Sequence, residues 1–148
     1  MRCAKDDGAR AHLHEPGIRV KLLLSKHAKI QFATRVEPSG LLQGSRGRPD
    51  LTVLMPSGDV HIDVSVTYMG TAKGKAIETR EREKRTKYKE LGTSFYPFII
   101  GHTGELSKTA EEVLCFLIPH RAVRDEARVE IVREIVEGNL RLHQAAAA

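Results

Sequence analysis

The chain has 148 residues, of which 41% are hydrophobic and 29% are charged, and its net charge is +5. This length suits one domain with a buried core, and the composition excludes a disordered tail. There is no run of about 18 apolar residues and no apolar segment near the start, so we expect an intracellular protein with neither a membrane span nor a secretion signal. The positive charge favours an anionic partner, of which nucleic acid is the commonest.

Hydrophobic periodicity predicts eight elements in the order α-β-β-β-α-β-α-α. In chain order these are a helix at 17–33, a strand at 33–38, a hairpin of strands at 50–55 and 60–68, a helix at 75–91, a strand at 94–101, and helices at 105–118 and 121–142. Strands that alternate with helices predict an α/β fold with a mixed sheet of about four strands and helices on both faces. We divide the chain into an extension at 1–16, a core at 17–119 and a C-terminal amphipathic helix and tail at 120–148.

Local residue chemistry predicts several of the boundaries. We expect the first helix to start after Pro16 and the second to stop at Gly92. Either Ser107 or Thr109 caps the third helix. Pro97 cannot donate a ladder hydrogen bond, which places it on an edge strand or at the beginning of its strand.

The hairpin contains two acidic residues within its most β-like sequence. If residues 57–58 form a two-residue turn, Leu51 pairs with Val64 and one face of the hairpin is wholly apolar. Asp50 and Asp63 then lie on the other face, diagonally opposed, with their backbones about 7–8 Å apart. Two carboxylates at this spacing can share one cation, and oxygen ligands suit Mg²⁺ or Mn²⁺. An ordinary half-exposed sheet with a polar outer face explains the pattern equally well.

Basic residues are concentrated between positions 73 and 89. On composition alone, Lys84 and Lys87 are solvent-exposed charges on a helix with i,i+4 ion pairs, and Tyr88 is a packing residue. The alternative is that these residues belong to a functional site.

Three motifs in order, RPDLTV, HIDVSV and REREKRTKYKELG, resemble the core of PD-(D/E)XK nucleases. They are more similar to the restriction-like endonuclease domain of R2-type non-LTR retrotransposons, over roughly residues 18–118. The resemblance implies a restriction-endonuclease-like core and a metal-dependent endodeoxyribonuclease that hydrolyses phosphodiester bonds. It also implies a location in the nucleus.

The resemblance assigns roles to three positions and explains a fourth, Ser65. Asp50 and Asp63 match the acids that hold Mg²⁺ or Mn²⁺. The usual motif has a lysine two residues after the second acid, where this chain has Ser65. In R2-like domains the following helix supplies that lysine, and Lys84 matches it. Lys84 would position the attacking water or offset charge in the transition state.

Further positions follow from the same resemblance. Lys87 and Tyr88 match the KY of the family motif and would fix the site or contact phosphate. The residues that would hold the DNA backbone are Arg46, Arg48, Arg80 and Arg85. An additional acid often comes from the first helix in these folds, but no residue there matches, and Glu37 is the remaining candidate.

Two alternatives stay open. The chain is either a catalytically inactive nucleic-acid-binding relic that keeps the fold and the basic face, or a dimeric interaction protein. The second alternative depends on the helix at 121–142, whose apolar stripe can pair with a second copy to form a homodimer. The stripe consists of Val123, Ala127, Ile131 and Ile135.

Overall fold

The computed structural model describes residues 4–36, 48–70 and 75–147, so the candidate residues Glu37 and Arg46 lie outside the described residues. Its elements are α1 (Ala4–Ala28), β1 (Ala33–Val36), β2 (Leu51–Met55), β3 (Gly58–Thr67), α2 (Lys75–Lys87), β4 (Phe95–Gly101), α3 (Lys108–Leu117) and α4 (Arg121–Ala147). A short 3₁₀ helix, Lys89–Ser94, joins α2 to β4. The predicted order of helices and strands is confirmed.

The four strands form one open mixed sheet in the order β1-β2-β3-β4. β1 and β2 are antiparallel, as are β2 and β3, whereas β3 and β4 are parallel and α2 is the crossover between them. Since β4 lies at the edge of the sheet, Pro97 occupies the kind of strand that its missing N–H predicts.

One face of the sheet carries the main hydrophobic core. Its fully buried strand residues are Leu51, Val53, Ile62, Phe98 and Ile100. Two helices cover this face through Val20, Leu24 and Ala28 of α1 and Val113 and Leu114 of α3, and α4 packs against these helices through Ala127, Ile131 and Ile135. The α4 stripe that was expected to be available to a second copy is therefore packed within its own chain, apart from Val123, which is 38% exposed.

The hairpin register differs from the prediction by two residues. Leu51 pairs with Ile62 rather than with Val64, because the turn is formed by Pro56 and Ser57. Proline suits the first central position of a turn, where its fixed φ is already correct. Gly58 follows the turn with a φ of 127°, a conformation that favours glycine.

The change of register leaves the composition of the two faces as predicted, since a shift by an even number of residues keeps every side chain on its own face. The cross-strand pair of Thr52 and His61 marks the new register, with Oγ1 and Nδ1 hydrogen-bonded at 2.9 Å. Continuing this register by one residue places Asp50 directly across from Asp63 instead of diagonally.

The predicted start of α1 after Pro16 is wrong, because the helix runs from Ala4 through the proline to Ala28. A proline inside a helix removes one backbone hydrogen bond. The turns that follow it are held against the sheet by buried Val20 and Leu24, so the helix is not interrupted.

Two further boundaries depend on local backbone chemistry. Ser107 caps α3, with its hydroxyl accepting a hydrogen bond from the Ala110 N–H at 3.1 Å. α2 ends at Lys87, earlier than Gly92, which lies in the following 3₁₀ segment with a φ of 57°. In the described ranges, no helix combines the length and apolar character that crossing a membrane requires.

Candidate functional site

Asp50 and Asp63 lie side by side where the chain enters β2 and in the middle of β3. Their carboxyl groups are close enough to interact electrostatically, and Oδ2 of Asp50 accepts a hydrogen bond from the Val64 N–H at 2.9 Å. Asp63 is only 4% exposed, so the alternative of an ordinary polar outer face is wrong for this residue. Burial of two adjacent carboxylates is unfavourable unless charges or hydrogen bonds compensate them.

Electrostatics in this acidic pair favour the uptake of positive charge. Burial raises the pKa of the Asp50 carboxyl above its ordinary value, and the neighbouring charge of Asp63 raises it further. The hydrogen bond from Val64 and the charge of Lys21 oppose these effects but do not reverse them. Two acids in this situation share a proton or bind a cation.

Helix α2 presents a row of side chains at i,i+4 spacing to the polar face of β3. Nε of Arg80 donates to Oγ of Ser65 at 2.9 Å, and Nζ of Lys84 lies 2.8 Å from Oδ2 of Asp63. Four helical residues rise about 6 Å, and two strand residues rise about 6.6 Å. Successive residues of the row therefore meet alternate residues of the strand, and Lys84 is not the solvent-exposed charge that composition alone indicates.

Tyr88 directly follows α2 and continues the row. Its hydroxyl donates to the Arg48 carbonyl at 3.3 Å and, at a longer 3.5 Å, to Oδ1 of Asp63. The ring packs on Phe95 with centroids 4.7 Å apart. Burial, and then the charge of Asp63, raise the pKa of the Tyr88 phenol, which keeps it protonated as a hydrogen-bond donor.

The other predicted basic residues do not reach the acidic pair. Lys87 is exposed, with its ammonium 5.1 Å from the centre of the Tyr88 ring. The Arg85 guanidinium donates to Oγ1 of Thr109 at 3.2 Å and thus contacts the beginning of α3 instead of the acidic pair. Arg48 contributes a backbone carbonyl to the site while its side chain is exposed. Of the sequence candidates, the structure brings together Asp50, Asp63, Lys84 and Tyr88.

Sequence reasoning missed Lys21 of α1. Its ammonium lies 3.8 Å from Oδ1 of Asp50, and the residue is 5% exposed. Lys21 stands on the helix face that also carries Gly17, Leu24 and Ala28. A single charged residue within an apolar helical stripe is a signal that its charge is compensated inside the fold. We call Lys21, Asp50, Asp63, Lys84 and Tyr88 the paired-acid site.

The donor set of the paired-acid site fits a small divalent cation. Oδ2 of Asp63 is buried and accepts no hydrogen bond of regular geometry, although Lys84 lies close to it. Within the described ranges, no group of three or more His, Cys, Asp or Glu side chains is placed to bind a metal. Two carboxylates with water and phosphate in the remaining positions match the way Mg²⁺ is usually held.

The chemistry of the site rests on its own geometry. Comparison with protein-family models gives no match, and comparison with curated proteins gives none that is significant. What the described residues offer is the buried carboxylate of Asp63 beside the largely buried carboxylate of Asp50, flanked by one lysine from each of two helices.

Proposed function

We propose that the paired-acid site is the active site of a Mg²⁺- or Mn²⁺-dependent DNA endonuclease. The observation that carries the proposal is the convergence of the largely buried side chains of Asp50, Asp63 and Lys84 between α2 and the sheet. The similarity of RPDLTV, HIDVSV and REREKRTKYKELG to the restriction-like endonuclease domain of R2-type retrotransposons supports the same function and extends the proposal to a restriction-endonuclease-like fold.

Hydrolysis needs two protein carboxylates for the cation and a cationic group for the phosphate. A divalent cation held by Asp50 and Asp63 would polarise the phosphate and lower the pKa of a bound water. In hydrolysis the water would form a bond from its oxygen to phosphorus and release one proton to solvent, while the bond to the leaving oxygen would break and that oxygen would take up one proton from solvent. Lys84 is placed to offset the negative charge that develops on phosphorus.

The neighbouring residues support this pocket. The Tyr88 phenol ties Asp63 to the backbone at Arg48, which limits the movement of the carboxylate. Arg80 binds Ser65, the position where the usual nuclease motif has its lysine, and thus brings a second cationic group to β3. The Tyr88 contact would keep Asp63 in a fixed position before substrate binds, and the Arg80 contact would hold α2 beside the same strand.

DNA is the proposed substrate, bound through its phosphate backbone. Exposed basic side chains extend along α2 and the segment that follows it; they are Lys75, Arg82, Lys87 and Lys89. Together with Arg48 and the partly exposed Arg85 they provide sequence-independent, salt-dependent binding. The similarity to R2-type endonuclease domains extends the proposal to a location in the nucleus.

The ion pairs also favour a second candidate function, nucleic-acid binding without cleavage. Each carboxylate already has a lysine neighbour, and the described residues supply no third acid. A pocket that is balanced in this way is stable without a cation, so the fold and basic surface can persist when activity is lost.

The two functions are separated by nicking of supercoiled plasmid DNA in the presence of Mg²⁺ or Mn²⁺. We expect the wild-type chain to nick, and Asp63→Ala to lower the rate by at least about 100-fold. Asp59→Ala is the matched control, because Asp59 is an exposed acid next to the turn of the same hairpin. Equal nicking by the wild type and Asp63→Ala rules out the site, and tight DNA binding without nicking by any of the proteins favours the second function.

A further inference from the structure

Lys21 is a buried ammonium that the motif comparison does not assign. It projects from α1, where its neighbours in sequence and on the helix face, Val20 and Leu24, are fully buried in the main core. Burying an ammonium without a compensating charge is strongly unfavourable. The nearby carboxylate of Asp50, 3.8 Å away, compensates it.

Lys21 and Lys84 approach the acidic pair from different sides. α1 covers the apolar face of the sheet, whereas α2 lies on the polar face, where Lys84 contacts Asp63. The described charges therefore alternate along the site, from Lys84 to Asp63, Asp50 and Lys21. With both acids ionised, the two ammonium groups neutralise the two carboxylates.

We propose that Lys21 is a positioning residue of the paired-acid site, which holds the Asp50 carboxylate and supplies the second positive charge required for phosphodiester hydrolysis. This inference rests on the proposed function. Attack of hydroxide on a phosphodiester produces a transition state with two negative charges. Among the described residues, two carboxylates and two lysines together with one divalent cation would carry a net charge that matches this dianion, and without Lys21 this set is one positive charge short.

The same charge has an opposite effect on cation binding. An ammonium beside Asp50 repels a divalent cation at the acidic pair, so Lys21 lowers cation affinity while it raises the rate of the chemical step. A lysine that only fills space in α1 has neither effect. A positioning residue is therefore recognised when its loss raises the affinity for the cation and lowers the rate of the chemical step, whereas loss of a structural residue does neither.

The test is a titration of the full chain with Mn²⁺, in which electron paramagnetic resonance measures binding. It is carried out at pH 8, so that few protons compete with Mn²⁺ for the carboxylates. Lys21→Met and Lys21→Gln remove the charge, Lys21→Arg retains it, and Lys26→Met alters an exposed lysine of the same helix. We expect the affinity of both neutral variants for Mn²⁺ to be at least about tenfold higher than that of the wild type. Lys21→Arg and Lys26→Met should bind as the wild type does.

Plasmid nicking supplies the second measurement. We expect kcat of the neutral Lys21 variants to fall about 100-fold while KM for DNA changes by less than about threefold. Lys21→Gln retains a polar group that can still contact Asp50, so it keeps the test valid if Lys21→Met is poorly folded. Mn²⁺ affinity that is unchanged or weaker in the folded neutral variants would overturn the inference.

Asp50→Asn and Asp63→Asn separate failure of this inference from failure of the proposed function. If both abolish Mn²⁺ binding but the Lys21 variants bind as the wild type does, only the role of Lys21 is wrong. If Mn²⁺ binding does not depend on either acid, or if neither the wild type nor a Lys21 variant binds, both proposals fail. Binding by Lys21→Met alone, without binding by the wild type, supports the role of Lys21.

Discussion

Nζ of Lys84 lies 2.8 Å from Oδ2 of Asp63, and the two side chains are only 15% and 6% exposed. This contact joins α2 to the centre of the sheet. Within the described helix α2 itself, no residue is fully buried. Polar contacts to β3 therefore hold α2 on the sheet, where apolar packing holds the other helices. The position of α2 thus depends on Asp63, which the proposed chemistry also requires.

Replacing Lys84 by Met tests how strongly this ion pair holds α2. Removal of one partner leaves Asp63 buried without its counter-charge, so we expect the free energy of unfolding to fall by about 3 kcal/mol or more. Lys87→Met is the control, since Lys87 is exposed on the same helix and its loss should cost no more than about 0.5 kcal/mol. Urea unfolding measures both, and equal losses would show that the Lys84–Asp63 contact contributes little.

The raised pKa of Asp50 predicts the direction of a pH effect on stability. Its folded-state pKa lies above the unfolded value, so the contribution of this group is complete below pH of about 4 and is lost as pH rises through the folded-state value. We therefore expect the stability of the wild type relative to Asp50→Asn to fall as pH rises above about 4. Denaturant unfolding of both proteins from pH 3.5 to 8 measures the difference. Wild-type stability that rises relative to Asp50→Asn as pH increases would contradict the raised pKa of Asp50.

Tyr88→Phe separates the hydrogen bonds of the phenol from the packing of its ring. The variant keeps the contact with Phe95 and loses the bonds to Arg48 and Asp63, so we expect a stability loss of about 1 kcal/mol. Tyr88→Ala also loses the packing and should cost about 3–5 kcal/mol. Because the pKa of the phenol is raised, the alkaline limb of the nicking profile should be the same in the wild type and Tyr88→Phe. An alkaline limb that shifts in Tyr88→Phe would show that the phenol ionises during the reaction.

Arg85→Ala tests the proposed DNA-binding surface. The Arg85 side chain is 46% exposed beside Glu81 and next to the exposed basic residues of α2. If it neutralises one phosphate, the slope of log K against log salt should become shallower by about 0.9. Arg133→Ala, on the exposed surface of α4, is the matched control and should leave the slope unchanged. An equal change in the two variants would mean that net charge alone determines binding.

The order of the elements and the faces of the hairpin follow from the sequence because both depend on local periodicity. Side chains alternate between the two faces along β3, so Asp63 and Ile62 lie on opposite faces whichever residues form the turn. The prediction of the faces therefore survived a wrong register. The register itself depends on which two residues occupy the centre of the turn, and these are Pro56 and Ser57 instead of the predicted Ser57 and Gly58.

Residues whose roles depend on packing between elements could not be predicted in the same way. Burial of Lys84 requires that α2 runs along β3 with matching spacing, which no single segment encodes. Lys21 needs α1 to lie against the start of β2, and the direction of Arg85 depends on Thr109 at the beginning of α3. For Lys21 alone, the interruption of an apolar stripe was a usable local signal.

The most direct measurement of the central claim is a crystal structure of the chain soaked in Mn²⁺, with anomalous scattering to locate the metal. We predict one Mn²⁺ ion within about 2.1–2.2 Å of an oxygen of Asp50 and an oxygen of Asp63, with Lys84 at the edge of the same pocket. The account is contradicted if both carboxylates keep their lysine contacts and no anomalous peak lies between them.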